Sequence, residues 1–361
     1  MSQQRNLNAI DLVRFWAIFF MMYAHYRVGE LSDLQSYLRP DGAVYQALHF
    51  GLSRTSSAFL GITSGYFVYR QINRYGFPQT LRKRFATLVV PAIYWSAIFL
   101  LFTAGTYFMV TNRLPPELTQ GPWRGLNKVI PIQYWPGNFP LHYLVDLFKL
   151  CLVAPILIFL IEKVPARGKI AIIVILILVP NSVSDPGNSE SILPRWDLIV
   201  FFVTGLAIAS EKILLEDLLR HPIPLTFIVA ALIMVLVLAP FWESLLRSGA
   251  FPQRYAGYLM IMAIKILGIV LFSGIAQRCV SSAFFANITP ERETIFSAFC
   301  LHAVILYFLV RAASKADSVL AADHTVNFLA FLIFPATAFI GALALKKTRV
   351  FLFERKRVRT S

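Results

Sequence analysis

Apolar runs long enough to cross a lipid bilayer recur from near the first residue to about residue 345, and this repetition constrains the fold more than any other feature. A segment surrounded by hydrocarbon has no water to satisfy its peptide groups, so each run must close its own hydrogen bonds as a helix. The runs fall at roughly 10–28, 45–69, 85–110, 139–161, 170–181, 196–210, 223–242, 258–277, 294–310 and 325–345. The expected fold class is all-α, a polytopic integral membrane bundle of about ten transmembrane helices. Hydrophobic residues make up 57% of the 361 and charged residues 15%, which leaves too little polar surface for a soluble domain of this size. The fifth and sixth runs fall short of the ~20 residues of a typical span, which marks them as tilted, broken or partly re-entrant.

A formal net charge of +15 raises the question of nucleic acid, and the positions of the 34 Lys and Arg residues answer it. With the amino terminus inside, 20 fall in the inner segments: Arg5, five from Arg70 to Arg84, three from Lys163 to Lys169, Lys212, Arg220, Arg278, Arg292, and seven from Lys346 to Arg359. Nine fall in the outer loops and five within spans, counting Arg27 at the end of the first. That two-to-one bias follows the positive-inside rule and places both termini in the cytoplasm. The expected domain division is a membrane domain over 1–345 and a basic cytoplasmic tail over 346–361, the tail resting on anionic lipid headgroups; no nucleic acid is expected as a partner.

Asp11 and Arg14 interrupt the first apolar stretch and no small-residue cleavage site follows, so the first helix is expected to stay rather than to be removed as a signal peptide. Cys151, Cys279 and Cys300 lie in or at the ends of spans, which assigns them to packing rather than to a disulfide framework. The longest outer loop, about 111–138, carries Pro115, Pro116, Gly121, Pro122, Pro131, Pro136 and Gly137 and reads as an ordered, turn-rich cap.

Charged and imidazole side chains inside spans are costly, so each needs a partner, a cavity or a task. In the first helix Arg14 and His25 are separated by ten residues, which for α-helical geometry puts them on one face at depths ~16 Å apart. Asp11 is placed to pair with Arg14 at i,i+3. Read without further context, this is an Arg snorkelling inward and a His in the interface. The second span carries His49, Arg54, Ser56, Ser57 and Ser64, and the fourth opens with His142, Asp146 and Lys149. Several of these converge with His25 if the two spans pack beside the first, while Asp146 and Lys149 neutralise each other as i,i+3 neighbours. Lys265 and His302 have no obvious sequence-local partner. A channel or transporter would place charges at the same depth, but the matched pair of Gly/Pro-broken helices expected of inverted repeats is not visible. No HExxH, GxSxG or P-loop pattern occurs, and no metal is expected.

These residues resemble the acyltransferase-3 family of membrane acyltransferases, many of which O-acetylate bacterial surface polysaccharides. Ile10-Asp11-Leu12-Val13-Arg14 leading to His25 is similar to the family's opening Leu-Asp-x-Leu-Arg and its Arg-x10-His pair. Phe59-Leu60-Gly61-Ile62-Thr63-Ser64-Gly65-Tyr66 is similar to Phe-Phe-x-x-Ser-Gly-Tyr, and Arg82-Lys83-Arg84 running to Pro91, Tyr94 and Trp95 resembles the basic segment and Pro-aromatic start of the family's third helix. Leu141-His142-Tyr143-Leu144 stands where the family has Leu-Trp-Phe-Leu, and Phe299 to His302 resembles its late Tyr-Leu-x-His. Two departures stand out. Thr87 occupies the second position of the family's frequent Arg-x-x-Arg, which removes one basic contact, and His142 replaces the usual Trp, which changes the pocket lining or the acceptor.

The resemblance implies transfer of an acyl group, usually acetyl, from cytosolic acetyl-CoA to a hydroxyl of a cell-surface polysaccharide or lipid-linked sugar, in a multi-pass protein of the bacterial inner membrane. No permanently bound cofactor is implied; acetyl-CoA is a substrate. Arg14, with Arg82, Lys83 and Arg84 at the same mouth, is expected to hold the donor's phosphates. His25 is expected to act on the acceptor hydroxyl as general base, the favoured role, or as a nucleophile. Ser64 is read either as a donor to the thioester carbonyl or as part of a close-packing Ser-Gly pair at a helix end, and Tyr66 as an interfacial residue. The alternative functions are a transporter or flippase for a lipid-linked or anionic solute, and a non-catalytic anchor of a polysaccharide-synthesis complex.

Overall fold

The computed structural model describes residues 9–25, 40–113, 119, 122–130, 138–179, 193–246, 251–282, 284–285, 291–316 and 324–347. Every regular element among them is helical. The long helices are α1 (Ala9–Met21), α2 (Thr55–Tyr75), α3 (Phe77–Arg84), α4 (Val90–Thr111), α5 (His142–Glu162), α6 (Ala166–Leu178), α7 (Trp196–Ser210), α8 (Leu225–Leu238), α9 (Phe251–Cys279), α10 (Arg292–Ala316) and α11 (His324–Lys347). A helix lies in each of the ten apolar runs. Among the described residues three stretches are both long and apolar enough to cross a membrane: Phe77–Met109, His142–Glu162 and Phe251–Cys279. Shorter apolar helices occupy Trp196–Ser210, Leu225–Leu238, Glu293–Leu309 and Phe328–Ala344. Most of the basic tail, and parts of the Pro-rich loop, lie outside the described residues; Pro122–Val129 within that loop forms a short helix packed on α4.

Lipid rather than water explains the surface. Leu101 and Met109 of α4 are 74% and 79% exposed, and Ile156, Phe159 and Leu160 form an outward apolar face on α5 opposite the buried Leu144, Leu147, Leu150 and Cys151. A helix that is apolar on both its inner and its outer face is suited to hydrocarbon. This is an all-helical membrane protein.

Backbone details set where the polar residues sit. Gly76, at φ +80°, ends α2 in a conformation that other residues adopt only with strain, and Pro78 opens α3 directly after it. A π-helical turn at Phe85–Val89 carries α3 into α4. The second apolar run differs from the single span expected over 45–69. It begins with a short helix at Pro40–Tyr45, passes through a π segment at Gln46–Gly51 and a 3₁₀ turn at Leu52–Arg54, and only then becomes α2. Serine hydroxyls accommodate the break: Ser53 Oγ donates to His49 O (2.5 Å) and Ser56 Oγ to Ser53 O (2.9 Å), so carbonyls displaced from the regular ladder keep partners. α2 also runs on to Tyr75, which puts Ser64 in mid-helix and not at a helix end.

The bundle is centred on α2, which packs most extensively on α7 and also touches α1, α5 and α9. The α2–α7 crossing is set by two glycines. A Cβ on Gly65 would stand 2.0 Å from the Phe202 carbonyl oxygen, and one on Gly205 would stand 2.0 Å from that of Ile62. In lipid, where the apolar environment offers no preference for one apolar partner over another, such backbone approach is the main source of helix association. Gly65→Ala and Gly205→Ala are therefore expected to destabilise the protein by at least ~1–3 kcal/mol each, because backbone and not a flexible side chain must yield. Gly105→Ala, on α4 with nothing within 4 Å of the added carbon, should be neutral or stabilising by up to ~1 kcal/mol. Thermal midpoints in detergent test both; a Gly65→Ala protein melting with the wild type would refute the close crossing.

Candidate functional site

α1 carries Arg14 in its second turn and ends in a 3₁₀ turn, Met22–His25. The expectation of one shared face changes with that turn. Three residues per turn in place of 3.6 adds about 20° per residue, so His25 is swung by about 80° from its α-helical position, to about 100° from the face of Arg14, and lies ~18 Å farther along the axis. The swing brings it to α10: the His25 and His302 rings lie 5.3 Å apart, centroid to centroid, tilted by 39°.

His142, Arg54 and His49 also lie near His25. The convergence inferred from sequence therefore occurs, with His49 supplied by the π segment, Arg54 by the 3₁₀ turn and His142 by the first residue of α5. Each histidine is anchored by its own element. His49 stacks on Tyr45 at 5.0 Å, and its Nδ1 pairs with Tyr23 O at 2.8 Å. His302, with no exposed surface, donates from Nδ1 to Phe299 O at 2.6 Å, which leaves Nε2 as an acceptor without a partner among the described residues. Among the described residues no three His, Cys, Asp or Glu side chains are spaced to hold a metal ion.

A second polar layer borders this cluster. Asp146 pairs with Lys149 at 3.5 Å, as expected, and its other oxygen lies 3.5 Å from Arg195 Nε. Lys265, which has no local partner in the sequence, reaches across from the middle of α9 to Asp197 in the first turn of α7, and Ser57 Oγ donates to the same Asp197 oxygen at 3.5 Å. Three helices, α2, α7 and α9, are thus tied through one carboxylate.

Arg14 sits at the other end of α1. Its guanidinium lies 3.7 Å from Asp11 and 5.3 Å from the centre of the Phe67 ring. Ser64, one turn of α2 from Phe67, lies beside the buried Tyr143 hydroxyl without the geometry of a full hydrogen bond, and Arg14, Arg195 and Asp197 lie near Tyr143 in turn. Ser64 therefore belongs to the neighbourhood of Arg14, while His25 has a different set of neighbours. Arg82 and Lys83 are exposed on α3, and Arg84 turns inward to the vicinity of Cys151. Tyr66, expected at the interface, is 3% exposed in the core, where its hydroxyl accepts a hydrogen bond from Arg70 Nη1 at 2.9 Å.

Sequence reasoning did not single out Tyr143, Arg195 or Asp197. Tyr143 was signalled only by its place between His142 and Leu144 in a recognisable motif; the two others stand just before and within the start of an unusually short apolar run.

With this arrangement established, comparison with known proteins gives it a context. Residues 7–347 match the acyltransferase-3 family, described as an acyltransferase domain. The chain belongs to that family. It is similar to the succinoglycan biosynthesis protein ExoH of Rhizobium meliloti (strain 1021), 22% identical over 265 residues, which cover 72% of this chain and 68% of the relative. No solved structure matches significantly. The chain is thus a membrane protein of an acyltransferase family, with intramembrane charges gathered at two levels of the bundle.

Proposed function

We propose that this chain is an O-acyltransferase that moves an acyl group, in the first instance acetyl, from cytosolic acyl-CoA to a hydroxyl of a cell-surface polysaccharide or lipid-linked sugar. The observation that carries this reading is the placement of Arg14 on α1 and of His25 at the end of the turn that follows it, where the half-buried His25 ring meets the buried His302. The ExoH relative, named for the biosynthesis of a polysaccharide, supports a glycan acceptor. We place about ten spans in the bacterial inner membrane with both termini cytoplasmic, following the charge bias. Arg14 then faces the donor side and His25 the acceptor side.

In this mechanism the donor's phosphates stay at the basic end, where Arg14 holds them and Arg82, Lys83 and Arg84 add to the positive field. The pantetheine arm runs along α1 past Ser64 and Tyr143, whose hydroxyls suit its amides. His25 accepts the proton of the acceptor hydroxyl as that oxygen attacks the thioester carbonyl. The carbon–oxygen bond forms, the carbon–sulfur bond breaks, and the proton held on His25 passes to the departing thiolate, so CoA leaves as a thiol. The expected result with purified protein in nanodiscs is CoA release from acetyl-CoA that depends on a cell-envelope glycan extract. Absence of both acetyl-CoA binding and CoA release with any extract would refute the proposal, and glycan flux without CoA release would identify a transporter instead.

A further inference from the structure

A cavity of about 370 Å³ opens between the last turns of α2 and the segment after α7, at the same end of the bundle as Arg14. Its lining includes Tyr66, Tyr69, Arg70, Asn73, Arg74 and Lys212. We infer that this cavity binds the phosphorylated nucleotide of the acyl donor, with Arg70, Arg74 and Lys212 on its phosphates and Tyr69 against its base. The inference rests on the acyl-CoA reading above and assigns a place to a part of the donor that Arg14 alone cannot hold.

The volume lies in the range of small-molecule sites. Its lining carries cations and no carboxylate; of the carboxylates nearby, Glu211 is paired with Lys169 at 2.5 Å and Glu162 accepts from Tyr69 at 2.8 Å. Three cations are left facing a concave surface, which is chemistry for an anion. Arg70 is held in place before any ligand arrives, by its 2.9 Å hydrogen bond to the Tyr66 hydroxyl and by lying over the Tyr66 ring. Lys212 has φ +58°, a left-handed conformation that residues with a side chain adopt at a cost, and one of the two such non-glycine positions among the described residues. Aromatic and amide groups beside the cations add recognition of a flat heteroaromatic ring and its polar edge, which inorganic phosphate lacks. The cavity lies beyond Tyr66, and Ser64 and Gly65 precede Tyr66 on α2, so a nucleotide seated there directs its thioester arm along α2 toward Ser64 and the far end of α1.

A lipid headgroup offers the same phosphate chemistry, and the test separates the two. Full-length protein in nanodiscs is titrated calorimetrically with CoA and with dephospho-CoA, which lacks the ribose phosphate. Wild type should bind CoA the more tightly. Arg70→Gln and Lys212→Gly, the latter relaxing the backbone while removing the cation, should each weaken CoA binding about tenfold and narrow the gap between the two ligands, while Arg113→Gln, at the opposite end of α4, should leave it unchanged. Unaltered CoA binding in both variants would overturn the cavity and leave the acyl-CoA reading standing; absence of CoA binding in the wild type would remove both. Loss of co-purified phosphatidylglycerol from the variants with CoA binding intact would make the cavity a headgroup site and overturn the inference. An independent measurement needs neither cationic variant: maleimide labelling of Asn73→Cys should slow at least fivefold in saturating CoA, and labelling at an unchanged rate under conditions where CoA binds would overturn it.

Discussion

Replacing His25 by alanine is expected to lower kcat for acyl transfer by about 10²–10⁴-fold, the usual contribution of a positioned general base, while leaving the KM for the acyl donor close to its wild-type value. The reason is positional. His25 is reached by the 3₁₀ turn at the end of α1, in contact with His302 and near His142, and is remote from the basic end proposed to hold the donor. Arg14→Ala should show the complementary pattern, a raised donor KM with a smaller change in kcat, because the guanidinium lies at the Asp11 and Phe67 end of the same helix. Folding is checked by the elution profile and thermal midpoint of each variant. Acyl transfer that survives in a folded His25→Ala protein would leave the enzyme without its proposed base; identical effects on kcat and KM in both variants would refute the division of labour along α1.

The second large effect concerns Lys265 and Asp197. Both side chains are largely buried, and an ion pair that loses one member in a low-dielectric interior leaves an uncompensated charge at a cost of about 3–5 kcal/mol. Lys265→Met should approach the lower part of that range, since Ser57 and Arg195 remain near Asp197. The informative comparison is the double variant Asp197→Leu with Lys265→Met. With neither charge present, apolar packing replaces the pair, and the double variant should be more stable than Lys265→Met alone. Thermal midpoints in detergent measure both. Additive losses in the double variant would show that the two residues act independently and that the pair does not tie α7 to α9.

Much of this architecture is legible from periodicity and charge, because bilayer-length apolar runs leave the backbone one solution. The sequence-local pairs are legible as well: Asp11 with Arg14 and Asp146 with Lys149 need only the helical repeat. What escapes is the local departure from that repeat. Nothing in Gln46–Arg54 states that the chain winds through π and 3₁₀ turns before α2 begins, and nothing in Met22–His25 states that the last turn tightens. Those departures decide which residues meet His25. Partners separated by many residues escape for a different reason: Lys265 with Asp197 and His25 with His302 depend on how helices cross, which composition does not encode. The family motifs supplied part of what periodicity lacked by marking His302, and they said nothing of Arg195 or Asp197.

The α2–α7 crossing has a mechanical consequence. With each backbone pressed against the other at Gly65 and Gly205, the two helices have no clearance to slide or roll past one another, so they behave as one stiff spar through the middle of the molecule. A rocking exchange of inward and outward openings needs a seam along which two halves separate, and this spar joins α1, α5 and α9 to the same centre. A rigid middle suits the proposed reaction, in which two substrates approach from opposite faces and meet, with only the transferred group changing sides.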